Sequence, residues 1–180
     1  MADFIAEFTF PNEDNLTNGA EWWTIQTDGS SAQKKGGVGV VITAPDKEIL
    51  KYGVHLKFPA TNNEDEYKGI LTGLRLRKAL GVNNLLVQND SKLVVKQIKG
   101  EYEAKEERMQ KYLRLTIHLT HEFNKVEFVQ VPRKQNVLAD EISKLASSEE
   151  EGPSKSLTME VQKHPNIEEV PTFAIKSMNS

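Results

Sequence analysis

Four carboxylates in this 180-residue chain, Asp28, Glu66, Asp90 and Asp140, are spaced so that separate elements could deliver them to one place. Asp28 closes an apolar run (Trp22, Trp23, Ile25) of β-type residues and is followed by Gly29, Ser30 and Ser31. Taken alone, that stretch is a strand running into a turn. Three further acids, each at a strand end or on an adjoining helix, point instead to metal-assisted cleavage of a phosphodiester. Such a hydrolysis needs an activated water, stabilisation of charge on the phosphate, and support for the leaving oxygen. Two Mg²⁺ ions ~3.5–4 Å apart supply all three, with Mn²⁺ as a substitute. Mg²⁺ is hard and prefers oxygen, and it is held by few carboxylates together with substrate phosphate and water. With no cysteine and four scattered histidines, carboxylates are the only plausible ligand set. Set against this, 26 acids in 180 residues make coincidence cheap. Asp140, beside Glu141 on an amphipathic helix, reads by itself as a solvated charge.

Composition bounds the rest. The length suits one domain with chain to spare for tails. The absence of cysteine excludes disulfides and thiolate metal sites. No apolar run approaches the ~18 residues of a membrane span, and no basic region followed by an apolar core opens the chain. The expectation is a soluble, intracellular protein, cytoplasmic or nuclear, with no membrane partner. Net charge is −3, but it is unevenly spread. Of 23 basic and 26 acidic side chains, residues 1–21 hold five acids and no base, and residues 147–180 hold six acids and three lysines. The middle is left with 20 basic and 15 acidic side chains, a mildly basic body compatible with nucleic acid.

Several elements must position the acids. Residues 1–21 begin with Phe4, Ile5, Phe8 and Phe10 and read as an arm leading into the first strand, 23–28. Lys34 to Gly37 supplies a turn. Residues 37–43 form a second strand whose glycines permit close approach of neighbours. A tight turn at 44–48 leads to a third strand that alternates over 49–58. From Thr61 the period becomes helical. A helix capped by Asn62 or Asn63 carries Tyr67, Ile70, Leu71 and Leu74 on one face and stops at Gly81. Leu85-Leu86-Val87 is a central strand ending at Asn89-Asp90. Helices follow at 91–98 and 104–123, then a strand at 126–131 closed by Pro132, and a last helix at 136–146. From 148 the composition suggests a mostly disordered tail. Three antiparallel strands followed by strand–helix alternation predict an α/β domain over 22–147, with a five-stranded mixed sheet and helices on both faces. In such sheets sites form where strand ends diverge, which makes Asp28 and Asp90 neighbours.

On these residues the chain resembles a ribonuclease H domain. The resemblance runs over roughly residues 22–146 and is carried by Thr27-Asp28-Gly29-Ser30, Thr61-Asn62-Asn63-Glu64-Asp65-Glu66-Tyr67, Asn89-Asp90-Ser91 and Asn136-Val137-Leu138-Ala139-Asp140. It implies that Asp28, Glu66, Asp90 and Asp140 are catalytic metal ligands, Asp28 and Asp90 lying closest to both ions. It implies minor-groove contacts from Asn62 and Asn63, a DNA-phosphate contact from Thr61, and a Gly29-Ser30 backbone against ribose 2′-hydroxyls. Ser91, Lys92 and Asn136 complete the implied substrate-binding set.

The flanks resemble one subgroup. Ala2-Asp3-Phe4-Ile5-Ala6-Glu7-Phe8 is similar to the segment joining reverse transcriptase to ribonuclease H in plant gypsy-type LTR retrotransposon polyproteins. Gly100 to Lys105 and Val131-Pro132-Arg133 look like the same subgroup, and 161–170 resembles its linker toward integrase. The implied setting is a polyprotein fragment or a domesticated relative, with reverse transcriptase and integrase domains as neighbours. Departures from the family pattern are specific. The loop Pro132-Arg133-Lys134-Gln135 holds no histidine, Lys92 stands where glutamine is usual, and Asp65 stands where a smaller residue is usual. Gly100 leads through Glu101-Tyr102-Glu103 instead of a basic helical protrusion. The expected activity is hydrolysis of the RNA strand of RNA–DNA hybrids. A catalytically silent hybrid-binding or tether domain is the first alternative. An integrase or transposase core, whose acids follow a different spacing, is the second.

Overall fold

The computed structural model describes residues 21–32, 35–79, 81, 84–148 and 157–165. The elements run β1 (Trp22–Ala32), β2 (Lys35–Thr43), β3 (Ile49–Leu56), α1 (Asn62–Ala79), β4 (Asn84–Asn89), α2 (Lys92–Ile98), α3 (Glu107–Thr120), β5 (Lys125–Gln130), a 3-10 turn (Arg133–Gln135), α4 (Val137–Ser148) and β6 (Leu157–Gln162). They form one mixed sheet in the order β5-β4-β1-β2-β3-β6. β1, β2 and β3 are an antiparallel meander, while β4 and β5 join it in parallel. The expected α/β class, the meander and the strand–helix alternation are all present.

Two features depart from the sequence reading. β1 does not end near Asp28 but continues to Ala32, with Asp28 opposite Gly39 and Ser30 opposite Gly37 on β2. Gly36, expected in a turn, is a ladder residue, as is Gly37, expected to open the second strand. A hairpin that bends later keeps these strands paired, so Gly29 and Ser30 lie in a strand. The second departure is a sixth strand in the tail. β6 pairs in parallel with β3, Lys51 beside Leu157 and Leu56 beside Gln162. Met159 packs over Gly53, and the Tyr52 hydroxyl donates to Glu160. The acidic composition around 149–151 masked this short β-type run from a compositional argument. The N-terminal arm with Phe4 and Phe8 lies outside the described residues.

Packing follows from small residues in the sheet. α1 and α3 cover one face over a core that includes Ile25, Val54, Tyr67, Leu71, Leu74 and Tyr112. α4 covers β1, β2 and β3 on the other face, against Val41. Gly37 and Gly39 make that approach possible: a Cβ on Gly39 would stand 2.1 Å from the Ala139 carbonyl oxygen, and one on Gly37 2.2 Å from that of Ser143. Any larger residue would lift α4 off the sheet, and Asp140 with it. No helix among the described residues is long and apolar enough to cross a membrane.

Candidate active site

Strand register brings the first two acids together. Thr27 on β1 pairs with Asn89 on β4, so Asp28 and the next residue after β4, Asp90, emerge side by side at one sheet end. Side chains alternate across a strand. Thr27 therefore packs beneath Gly69 and Gly73 of α1, while Asp28 turns to α4, where the Ser143 hydroxyl is shared between the Asp28 carboxylate at 3.2 Å and the Asp140 carbonyl at 2.8 Å.

Glu66 arrives from α1. The helix begins with a reciprocal cap in which the Thr61 hydroxyl accepts from the Glu64 amide (3.2 Å) and the Glu64 carboxylate accepts from the Thr61 amide (3.0 Å). Arg108 of α3 holds the same Glu64 at 2.6 Å. The next turn lies directly on β1, where a Cβ on Gly29 would be 2.4 Å from the Asp65 carbonyl carbon. This contact lets the Gly29 amide donate to Glu66 Oε1 at 3.0 Å. The Asn89 amide donates to the same oxygen at 3.1 Å and also meets the Thr27 carbonyl and hydroxyl, at 3.1 and 2.9 Å.

The outcome is a cluster in which Asp28, Glu66 and Asp90 each offer an oxygen, all within 4.8 Å of one another. Asp140 stands one step outside it. Its carboxylate is hydrogen-bonded to that of Asp28 and paired with Lys144 at 3.0 Å. Arg133 reaches Asp90 at 3.5 Å.

Crowding shows in the protonation. Burial, then the Glu66 charge, the Asp140 hydrogen bond and Asp90 push Asp28 up to about 8. Burial also lifts Glu66 to about 8, aided by Asp90 and Asp65 and opposed by the Asn89 and Gly29 hydrogen bonds. Burial acts the same way on Asp140, but the Asp28 hydrogen bond, Lys144 and Arg133 outweigh it and hold that group below its ordinary value. Asp28 is thereby pushed toward its neutral form and Asp140 toward its charged one. An all-oxygen set strained in this way fits a hard divalent cation, which would displace the protons and relieve the repulsion.

The substrate residues expected from sequence fall into two groups. Thr61 and Asn62 are exposed and Asn63 half-buried at the start of α1, and Lys92 is exposed at the start of α2. Ser30 is half-buried on β1, and Gly29 has its amide committed to Glu66. Ser91 caps α2, its hydroxyl accepting from the Val94 amide at 3.2 Å. Asn136 is 1% exposed, with its amide on the Thr27 carbonyl at 2.9 Å, so it braces β1, while its Oδ1 is buried without a hydrogen-bond partner among the described residues. Sequence reasoning gave no role to Asn89 or Ser143. Ser143 had a signal, lying three residues beyond Asp140 and so on the same helix face. Asn89 stands in the matching segment Asn89-Asp90-Ser91, but its role depends on which strand lies beside it.

Comparison with known proteins gives the family and the fold. The model of the family described as reverse transcriptase-like matches residues 26–146. The bifunctional protein Rv2228c of Mycobacterium tuberculosis is 34% identical over 122 residues, 66% of this chain and 34% of its own. The chain therefore spans about a third of the length of the mycobacterial relatives it matches. Among solved structures, RNase H1 of the halophilic archaeon Halobacterium salinarum superposes with a TM-score of 0.68 at 25% identity, over 71% of this chain and 98% of that one. LC11-RNase H1, isolated from compost and solved in complex with an RNA/DNA hybrid, gives 0.66 at 29% identity, over 71% and 97%.

Proposed function

From the premise that the chain belongs to the reverse transcriptase-like family and has the ribonuclease H fold, we propose that it is an endonuclease hydrolysing the RNA strand of RNA–DNA hybrids. The observation that carries this reading is the Asp28–Glu66–Asp90 cluster within 4.8 Å, with Asp140 hydrogen-bonded to Asp28. A relative solved with an RNA/DNA hybrid supports the substrate class.

Asp28 of β1 and Asp90, the residue after β4, would hold two Mg²⁺ ions together with Glu66 and Asp140. Mn²⁺ would substitute. When bound, such a pair activates a water for in-line attack and stabilises the leaving oxygen, giving a 3′-hydroxyl. The remaining work falls to the chain itself. Asn89 and the Gly29 amide aim Glu66, and Ser143 aims Asp28. Asn62 and Asn63, at the exposed start of α1, would enter the minor groove, and Thr61 would meet a DNA phosphate. Ser30 and Gly29 would lie against ribose 2′-hydroxyls, the groups that separate RNA from DNA. Ser91 and Lys92 border the same end of the sheet.

The retroelement setting is part of the proposal. The motifs at 2–8, 100–105 and 131–133 support a place beside reverse transcriptase and integrase domains in a plant gypsy-type polyprotein. The test is a labelled hybrid incubated with Mg²⁺, with Mg²⁺ plus chelator, and beside duplex DNA of equal sequence. Cleavage of the hybrid alone, abolished by chelator, is expected. Undiminished cutting in chelator, or equal cutting of duplex DNA, sinks the reading. Binding of hybrid without cleavage would leave a silent binding domain.

A further inference from the structure

We propose that Arg133 is the resident cation of the carboxylate cluster: it pairs with Asp90 while no divalent ion is bound and turns to a phosphate of the nucleic acid when one is. The inference rests on the metal-dependent reading above.

The turn carrying Arg133 is fixed from below. Gln26 of β1 donates to the Gln135 carbonyl at 3.1 Å and is itself tied to Gln88 of β4 at 3.1 Å. Asn136 donates to the Thr27 carbonyl at 2.9 Å, and the Gln135 amide closes the turn on Pro132 at 2.9 Å. The backbone of Arg133 is thereby pinned to the two strands that carry Asp28 and Asp90. Its side chain is not pinned. The Arg133 side chain is 84% exposed, whereas Asp90, its partner at 3.5 Å, is 8% exposed. One acid is nearly sealed and its cation stands in water at the rim.

That arrangement cannot survive metal binding unchanged. Asp90 belongs to the three-oxygen cluster, and a divalent ion there outbids an exposed guanidinium for the same oxygen. Arginine keeps its charge at any ordinary pH, so once released it remains a cation at the mouth of the site. A guanidinium is suited to phosphate, which it can engage through two parallel hydrogen bonds. Lys144 does not share this role, since it pairs with Asp140 further along α4. Lys134, next to Arg133 on the same exposed turn, has no ion pair with the cluster, and so serves as a control for charge alone.

The measurement is a calorimetric Mn²⁺ titration of the full chain without substrate, for wild type, Arg133→Ala, Arg133→Lys and Lys134→Ala. Hybrid affinity is then measured in Ca²⁺, where cleavage is not expected. Loss of a competing exposed cation should tighten Mn²⁺ binding about two- to fivefold in Arg133→Ala. Arg133→Lys should fall between, and Lys134→Ala should change less. Hybrid affinity in Ca²⁺ should fall several-fold in Arg133→Ala and be partly restored by lysine. Mn²⁺ affinity unchanged or weakened by Arg133→Ala overturns the proposal, as does an equal gain in Lys134→Ala. Hybrid affinity unchanged in Arg133→Ala overturns the hand-over to phosphate. A wild type that binds Mn²⁺ but never cuts hybrid sinks the ribonuclease reading while the titration still decides Arg133. A wild type that binds no Mn²⁺ overturns both.

Discussion

The Asn89 side-chain amide lies 3.1 Å from Glu66 Oε1 and 2.9 Å from the Thr27 hydroxyl, which ties α1 to the two central strands at the point where the acids meet. Asn89 is fully buried, and its own oxygen accepts from the Ser91 amide at 2.7 Å. Replacing it by alanine takes one hydrogen bond from each of Glu66, the Thr27 carbonyl, the Thr27 hydroxyl and the Ser91 amide. Asn89→Ala is expected to cost about 1–3 kcal/mol of stability. Hybrid cleavage should fall at least tenfold, with KM little changed, because Glu66 loses its aim while the groove residues stay. Denaturant unfolding and steady-state kinetics on the same preparation check both parts. A wild-type rate in this variant would show that Glu66 needs no support from β4.

Asp28→Asn and Asp90→Asn should each abolish cleavage while leaving the fold and hybrid binding nearly intact. The carboxylates repel one another without metal, so removing one charge does not harm the ion-free fold. Glu141→Gln, exposed and one residue from Asp140, should cut at close to the wild-type rate. Cleavage, hybrid affinity and thermal melting on these three variants decide the site. Wild-type cutting by Asp28→Asn means the acids have been misassigned.

Stability of the metal-free protein should fall as pH rises. Asp28, Glu66 and Asp65 are all lifted to about 8, each chiefly by burial. Between the ordinary carboxylate range and about pH 8 the folded state holds more protons than the unfolded chain, so raising pH favours unfolding. Their contribution is fully present below about pH 4 and is lost as pH passes through about 8. Melting temperature in chelator should therefore decline from about pH 5 to about pH 8, and added Mg²⁺ should flatten the decline. A melting curve indifferent to both pH and Mg²⁺ contradicts the clustered carboxylates.

Asp65→Ala should stabilise the protein. Asp65 is fully buried, neither of its oxygens has a hydrogen-bond partner among the described residues, and the Glu64 charge adds to the effect of burial. Its side chain packs against Gly36, so a methyl group fits with little rearrangement. A gain of about 1 kcal/mol or more is expected at neutral pH, with cleavage retained. A loss of stability would show that Asp65 has a favourable role in the fold.

Ending the chain after Ser148 should destabilise the domain. It removes β6, strips the outer edge from β3, and takes away the Pro165 carbonyl that Lys68 approaches at 2.5 Å, a lysine only 1% exposed. A melting temperature lower by roughly 5 °C or more is expected, with concentration-dependent association through the bared strand edge. Unchanged melting and a monomeric truncated chain would reduce β6 to an ornament of the sheet.

Sequence alone determined the order of strands and helices, because hydrophobic period and Gly, Pro and Asn punctuation are local properties of the chain. It also singled out Asp28 and Asp90 as acids at strand ends, and the resemblance to ribonuclease H added Glu66 and Asp140. The strand order already made Asp28 and Asp90 neighbours, but the register was decided only in three dimensions. That Thr27 lies beside Asn89 places Asp28 next to Asp90, and that register depends on which strands are neighbours. The extension of β1 through Gly29 and Ser30, the burial of Asn136 and the docking of β6 on β3 all arise from contacts between distant segments. So does the position of Asp140 beside Asp28 instead of within the three-oxygen cluster, since α4 reaches the sheet only where Gly37 and Gly39 leave room for it. A one-dimensional pattern records which faces are apolar; which faces meet, and at what distance, is set by side-chain volume across the sheet.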